Sequence, residues 1–228
     1  MAGRRKLTNP LGLAVLAFLM TGPMHPYQIA RVLKYTGKDD SIKIRYGSLY
    51  TVVQDLEKRG FIEAEGTARA GHRPERTVYR LTADGRREVQ ERLRELMSEP
   101  VKEYPVFAAV LSLVTSLHPD EVPGLLRHRL SVLEIEIAST RAAIDEAVTG
   151  QGLPRLFVLE TEYMLAMKRA EAEWVRGLLK ELADGSLADV KIWRTVRETG
   201  KFPEELLDAD WAKGAQEMLS LREADEPE

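Results

Sequence analysis

The chain has 228 residues, of which 44% are hydrophobic and 30% charged, enough for one large or two small globular domains and unlike disordered or fibrous chain. It holds no cysteine, which excludes disulfides, thiolate metal sites and cysteine nucleophiles together. Its net charge of −3 hides an asymmetry: residues 1–98 carry 18 Lys and Arg against 11 Asp and Glu, a balance of +7, and the remainder 15 against 25, a balance of −10.

The spacing predicts a first helix from Pro10 to Met20, apolar almost all round, with Asn9 as its cap and Gly22-Pro23 as its stop. Arg4, Arg5 and Lys6 precede that run as in a signal peptide, but no small-residue cleavage site follows. The run is about half the ~20 residues that a membrane span needs. The expected compartment is the cytoplasm.

A second helix is expected from Pro26 to Tyr35, with Tyr27, Ile29, Ala30 and Leu33 as its apolar stripe. A third runs from Tyr46 to Lys58, with Leu49, Val52, Val53 and Leu56 at helical spacing and Gly60 at its end. Periodicity then changes to two short strands, Phe61–Glu65 and Thr77–Leu81, around a Gly- and Arg-rich tip from Gly66 to Arg76. A charged helix reaching Ser98 completes a winged helix-turn-helix over residues 1–98.

Pro100 and Pro105 mark a boundary. Three helical patterns follow: Val106–Leu117, Glu121–Val148 and Arg155–Ala183. Each of the last two is roughly 42 Å long at 1.5 Å per residue, and Gly150–Pro154 turns between them. The last carries Leu156, Leu159, Tyr163, Met167, Ala170, Trp174, Leu178 and Leu182 in 3–4 spacing. So long a stripe calls for a second copy of the chain, which makes residues 99–184 a helical dimerisation domain with those eight residues at its interface; the competing reading is an intramolecular bundle with the tail. Residues 185–228 form a helical extension of unassigned role: Ser186–Asp189 has the pattern of a capping box, and Pro203 opens a helix with Leu207, Trp211, Ala215 and Met218 on one face. The expected fold class is therefore mainly α.

Reading a duplex requires a helix in the major groove and cations aimed at phosphates. Lys43, Arg45, Tyr46, Ser48 and Tyr50 lie at or before the start of the third helix, where open N–H groups favour a phosphate. Thr51 and Gln54, one turn on, are placed for base edges. Tyr46 and Tyr50 serve equally well as packing against the wing. The wing tip offers Arg69, His72, Arg73 and Arg76, with Glu75 as the one acidic residue among them, for phosphate or minor-groove contact.

Leu11–Leu16 followed by Gly22-Pro23-Met24-His25-Pro26-Tyr27-Gln28-Ile29 is similar to the opening of PadR-family transcriptional regulators, with Pro26 where the family usually has Gly. Tyr46-Gly47-Ser48-Leu49-Tyr50, then Leu56-Glu57-Lys58-Arg59-Gly60-Phe61-Ile62, resembles that family's recognition helix. The run Arg73–Gly85 resembles its wing and exit. The resemblance implies a homodimer that binds double-stranded DNA at an inverted-repeat operator, usually as a repressor. It also implies that some members release DNA on binding a small aromatic or drug-like effector. Tyr163, Met167 and Trp174 are candidate ligand contacts on the last long helix, beside their role in the dimer seam.

An enzyme has little support. His25, His72, His118 and His128 are scattered, there is neither a P-loop nor G-x-S-x-G, and Gly150-Gln151-Gly152 lies in a helix hairpin. No metal or cofactor is expected. The competing reading, a winged-helix protein-interaction module without DNA binding, predicts a neutral wing, whereas this one is basic.

Overall fold

Asn9 starts α1 (Pro10–Leu19) by accepting a hydrogen bond from the Leu11 N–H, while Pro10 pre-sets the first turn. In the computed structural model, which describes residues 7–42, 44–68 and 76–200, Leu11, Leu13, Val15, Leu16 and Leu19 are all buried. A helix apolar on every side is stable only inside a core. Around α1 pack α2 (Pro26–Tyr35), α3 (Tyr46–Lys58) and α4 (Ala83–Ser98). They contribute Ile29, Ala30 and Leu33, then Leu49, Val53 and Leu56, then Val89.

His25 caps α2 reciprocally: its Nδ1 accepts from the Tyr27 N–H, and the Gln28 side chain accepts from the His25 N–H. At the other end of the helix-turn-helix, Gly60 takes the left-handed conformation at φ +73°. That lets Phe61 N–H reach the Leu56 carbonyl and Gly60 N–H the Glu57 carbonyl, which closes α3 in a Schellman motif.

Two antiparallel strands form the wing, β1 (Ile62–Ala68) and β2 (Arg76–Leu81), with Ile62 opposite Leu81 and a register shift between Ala64 and Gly66. Both strands extend further toward the tip than the apolar alternation suggested, because backbone pairing continues where the side chains turn polar. Met24 adds a bridge that the sequence pattern did not disclose, exchanging two 3.0 Å hydrogen bonds with Tyr79. Wing and core are joined at two neighbouring carbonyls: the Thr82 hydroxyl donates to Gly60 O at 2.7 Å, its Oγ1 caps α4 through the Gly85 N–H, and the Thr82 N–H donates to Phe61 O. A Cβ at Gly85 would lie 2.0 Å from that same oxygen.

The chain divides into two compact units, Met1–Glu103 and Tyr104–Glu228. The second contains α5 (Val106–Ser112), a 3-10 turn at Val114–Ser116, α6 (Val122–Asp145), α7 (Leu159–Asp184) and α8 (Val190–Thr199). The continuous helix expected over Val106–Leu117 breaks at Leu113. Val114 and Thr115 are β-branched, and Ser112 turns its hydroxyl back onto the Ala109 carbonyl. The end expected for α6 at Val148 lies instead in a π turn at Glu146–Gly150, and Arg155–Val158 forms a 3-10 turn before α7.

Helices α6 and α7 pair antiparallel, with Leu126, Leu133, Leu165, Ala172 and Val175 buried and Arg176–Glu134 (2.8 Å) and Lys168–Glu136 (3.0 Å) bridging them. The capping box expected at Ser186–Asp189 does not form. Gly185 ends α7 at φ +74°, Asp184 accepts from the Ser186 N–H, and Asp189 makes no side-chain cap. Helix α8 is held otherwise: buried Trp193 donates to the Leu117 carbonyl at 2.9 Å, and Arg194 grips Asp120 at 2.5 and 2.8 Å. The Arg194 hydrogen bonds hold the Asp120 carboxyl below its usual range. The helix expected after Pro203 lies outside the described residues.

Gly85→Ala is expected to cost about 1–3 kcal/mol of unfolding free energy by overpacking against Phe61. Thr82→Ala is expected to cost about 1 kcal/mol through its lost cap. Urea unfolding followed by circular dichroism measures both.

Candidate nucleic-acid interface

The spacing of Leu49, Val53 and Leu56 puts all three on one face of α3, each at 2% exposure or less. The opposite face is thereby turned to solvent. Arg45, Ser48, Tyr50, Thr51 and Gln54 are all exposed there or just before it. Tyr46 opens the helix, but its side chain, like Lys43, Arg69, His72 and Arg73, lies outside the described residues. Arg76 begins β2, and its side chain is likewise outside them.

The helix start suits an anion. Arg45 occupies the cap position in an extended conformation without a side-chain hydrogen bond, so the first-turn N–H groups of α3 lack a side-chain cap. Among the described residues, no ion pair holds Arg45, whereas Arg59 is bound to Asp55 at 2.8 Å and Arg80 to Glu63 at 2.7 Å. Thr51 donates its hydroxyl proton to the Gly47 carbonyl at 3.1 Å. What it offers outward is a methyl group and oxygen lone pairs, whereas the amide of Gln54 carries both donor and acceptor.

The fold gathers further residues around this face. A groove of about 380 Å³ is lined by His25 and Tyr27 of α2, Tyr50 and Gln54 of α3, and Thr77 and Tyr79 of β2. Tyr50, 47% exposed, lines this groove together with Thr77 and Tyr79 of the wing strand. The sequence pattern places Tyr27, Thr77 and Tyr79 in the core or the strand; the Met24–Tyr79 bridge, which spans 55 positions, ties β2 to the entrance of α2 and helps bring them to this face. Burial first, and then the Glu57 carboxylate at 3.4 Å, pushes the Tyr79 phenol up, which keeps it a neutral donor. Among the described residues no three His, Asp or Glu side chains gather as a metal site; His118 stands 3.5 Å from Asp120 and 3.9 Å from Glu198, an ion pair only when protonated.

Along the 3-10 turn at Arg155–Val158 and α7, the predicted stripe divides. Leu156, Leu159, Tyr163, Met167, Ala170 and Trp174 are exposed, while Leu178 and Leu182 are half-buried against Val122, Leu126, Val175 and Trp193. Trp174 meets the Phe107 ring edge-on, with centroids 6.0 Å apart.

Three helices around a buried first helix, a two-stranded wing and an outward polar face on the third helix define a winged helix-turn-helix protein. Residues 15–91 match the model of the Transcriptional regulator PadR-like family. Among solved structures, the chain is similar to Bacillus subtilis PadR in complex with operator DNA (TM-score 0.62, 19% identity, 75% of this chain and 98% of that one). It is similar too to Bacillus subtilis PadR in complex with p-coumaric acid (TM-score 0.60, 19% identity, 76% and 98%). A PadR-like transcriptional regulator from Bacillus cereus matches at TM-score 0.52 and 19% identity, over 77% and 99%. At these identities the likeness is one of fold. No curated protein matches the chain.

The split of α3 into two faces predicts opposite outcomes for neighbouring positions. Leu49→Ala is expected to cost about 2–5 kcal/mol of stability, whereas Ser48→Ala and Gln54→Ala stay within about 0.5 kcal/mol of wild type. Thermal and urea unfolding of the three variants check this.

Proposed function

We propose that the protein is a homodimeric, sequence-specific DNA-binding regulator that acts in the cytoplasm as a repressor at an inverted-repeat operator. The observation that carries this is α3, whose apolar face is locked into the core while Arg45, Ser48, Tyr50, Thr51 and Gln54 face outward. In this reading α3 lies in the major groove, with Gln54 and Thr51 at base edges and Arg45, Ser48 and Tyr50 at phosphates. Tyr46 stands at the groove entrance. Lys43 before the helix and Arg69, His72, Arg73 and Arg76 on the wing add cations along the backbone. Bacillus subtilis PadR, which shares this fold, forms a complex with operator DNA, and that supports the reading.

Dimerisation rests on α7. Leu156, Tyr163 and Met167 are 70%, 67% and 55% exposed, although α6 already covers the face of Leu165, Ala172 and Val175. An apolar stripe of that length marks a protein interface, and a second copy of the same helix matches it in length and chemistry. Leu159, Ala170 and Trp174 extend the stripe, and Leu178 and Leu182 continue it from the internal cluster. The dimer would set its half-sites about one helical turn, ~10 bp, apart.

The regulator is released by a small aromatic or drug-like effector, with Tyr163, Met167 and Trp174 as contacts beside the seam. Support comes from the complex of the Bacillus subtilis relative with p-coumaric acid. A tenfold loss of operator affinity requires the effector to favour a non-binding dimer by about 1.4 kcal/mol.

Light scattering at micromolar concentration is expected to give twice the chain mass of 25.7 kDa, and Tyr163→Asp with Met167→Asp to halve it. Binding to a generic duplex is expected to fall linearly with salt on logarithmic axes. Arg45→Ala, Lys43→Ala or Arg73→Ala each lowers that slope by about one unit per lost phosphate contact. A monomer, or slopes unchanged in all three variants, would overturn the reading.

A further inference from the structure

A cleft of about 270 Å³ lies within the second unit, away from the α7 stripe residues Tyr163 and Met167. Its walls are Phe107, Val110 and Val114, Leu117, and Leu126 with Arg129 from α6. We propose that this cleft is a binding site for an uncharged, flat one- or two-ring molecule. The cleft is a different site from the Tyr163, Met167 and Trp174 contacts of the effector reading above, and the proposal rests on that reading only for the consequence to DNA binding.

Size comes first. A cavity of about 150 Å³ with Leu, Ile and Phe walls admits one benzene ring, so this cleft has room for one further ring. Charge decides the class. Arg129 is the one cation of the lining, and it is already committed: its guanidinium lies 3.7 Å over the Phe107 ring and Nε donates to Glu171 at 2.6 Å. An anion entering the cleft meets the Glu171 carboxylate beside Arg129, and a cation meets the guanidinium. With the pair neutralised and the other walls apolar, a charged ligand would lose hydration and gain no unpaired counter-charge. Glu171 takes Nε and Nη2, at 2.6 and 2.5 Å, which leaves Nη1 to donate to a carbonyl or phenol oxygen on the ligand. Aliphatic walls with one aromatic ring complete a lining of the kind that takes small apolar ligands.

The cleft also has two built-in reporters. Trp174 packs edge-on against the Phe107 wall, and Trp193 donates to the backbone carbonyl of Leu117, another wall residue. Through Leu117 the docking of α8 helps shape the cleft, which gives the C-terminal extension a part in ligand binding.

The test is a titration of the full chain with 6-propionyl-2-(dimethylamino)naphthalene, an uncharged, flat two-ring fluorophore, excited directly so that tryptophan does not contribute. The proposal expects saturable enhancement at one probe per chain, with quenching of tryptophan emission that is reduced in Trp174→Phe. Val110→Phe, which plugs a half-exposed wall position, should weaken the probe at least tenfold. The anionic two-ring analogue 6-(dimethylamino)-2-naphthoate should bind at least tenfold more weakly than the neutral probe. Should Val110→Phe perturb folding by circular dichroism, Leu125→Asp at the exposed rim carries the same expectation. Absence of saturable binding, with a dimer by light scattering, would mean that the second copy fills the cleft and would overturn the proposal. Binding unchanged by either wall variant, or tighter binding of the anion, would overturn it too. Saturable, variant-sensitive binding that leaves duplex affinity unchanged supports the cleft and removes its consequence to DNA binding.

Discussion

The recognition surface depends on the burial of one side of α3. Leu49, Val53 and Leu56 are held by α1 and the start of the wing, so the helix cannot rotate about its axis without exposing three large apolar side chains. Exposing even one of them fully would cost about 1.5–3 kcal/mol. That penalty fixes which residues face outward, and it requires no contribution from those residues themselves. Ser48, Thr51 and Gln54 are free to be chosen for what they contact rather than for stability.

The wing is placed by a comparably small set of bonds. Phe61, which ends the α3 motif, lends its carbonyl to Thr82, and Gly85 has no side chain that would push the oxygen away. Met24 then ties β2 to the entrance of α2. Recognition helix, wing and the cap of α2 are thus held in one register by backbone groups. The α2 and α3 side chains therefore meet β2 in a common groove.

Much of this was legible in the sequence, because the signals were local. Asn9, Pro10, Gly22, Gly60 and the Thr82–Gly85 run punctuate the first unit; α1, α2 and α3 begin and end within a residue of their expected bounds, whereas α4 starts at Ala83, inside the run expected to precede it. What stayed hidden was non-local. A single-residue bridge between Met24 and Tyr79 leaves no periodic trace, so Tyr27, Thr77 and Tyr79 could not be placed beside Gln54. In α7 two apolar faces share one 3–4 rhythm. Val158, Leu165, Ala172 and Val175 take the intramolecular partner, and the stripe from Leu156 to Trp174 is left outward, a choice that spacing alone does not make. The weak cues at Ser112–Ser116 and Glu146–Gly150, where β-branched and small residues cluster, gave a broken helix and a π turn where plain helix was expected.

The charge asymmetry acquires a structural sense in the two units: the +7 balance falls on residues 1–98, which build the winged helix, and the acidic remainder holds the helices proposed to pair. The central claim is that the outward face of α3 reads duplex sequence. Selection of bound fragments from a pool of random duplexes, run in parallel with wild type and Gln54→Ala, tests it most directly. Wild type should enrich an inverted repeat with half-sites about one helical turn apart, and Gln54→Ala should lose preference at particular base positions while keeping the repeat. A wild-type pool that stays random, or an enriched motif identical in the variant, would contradict it.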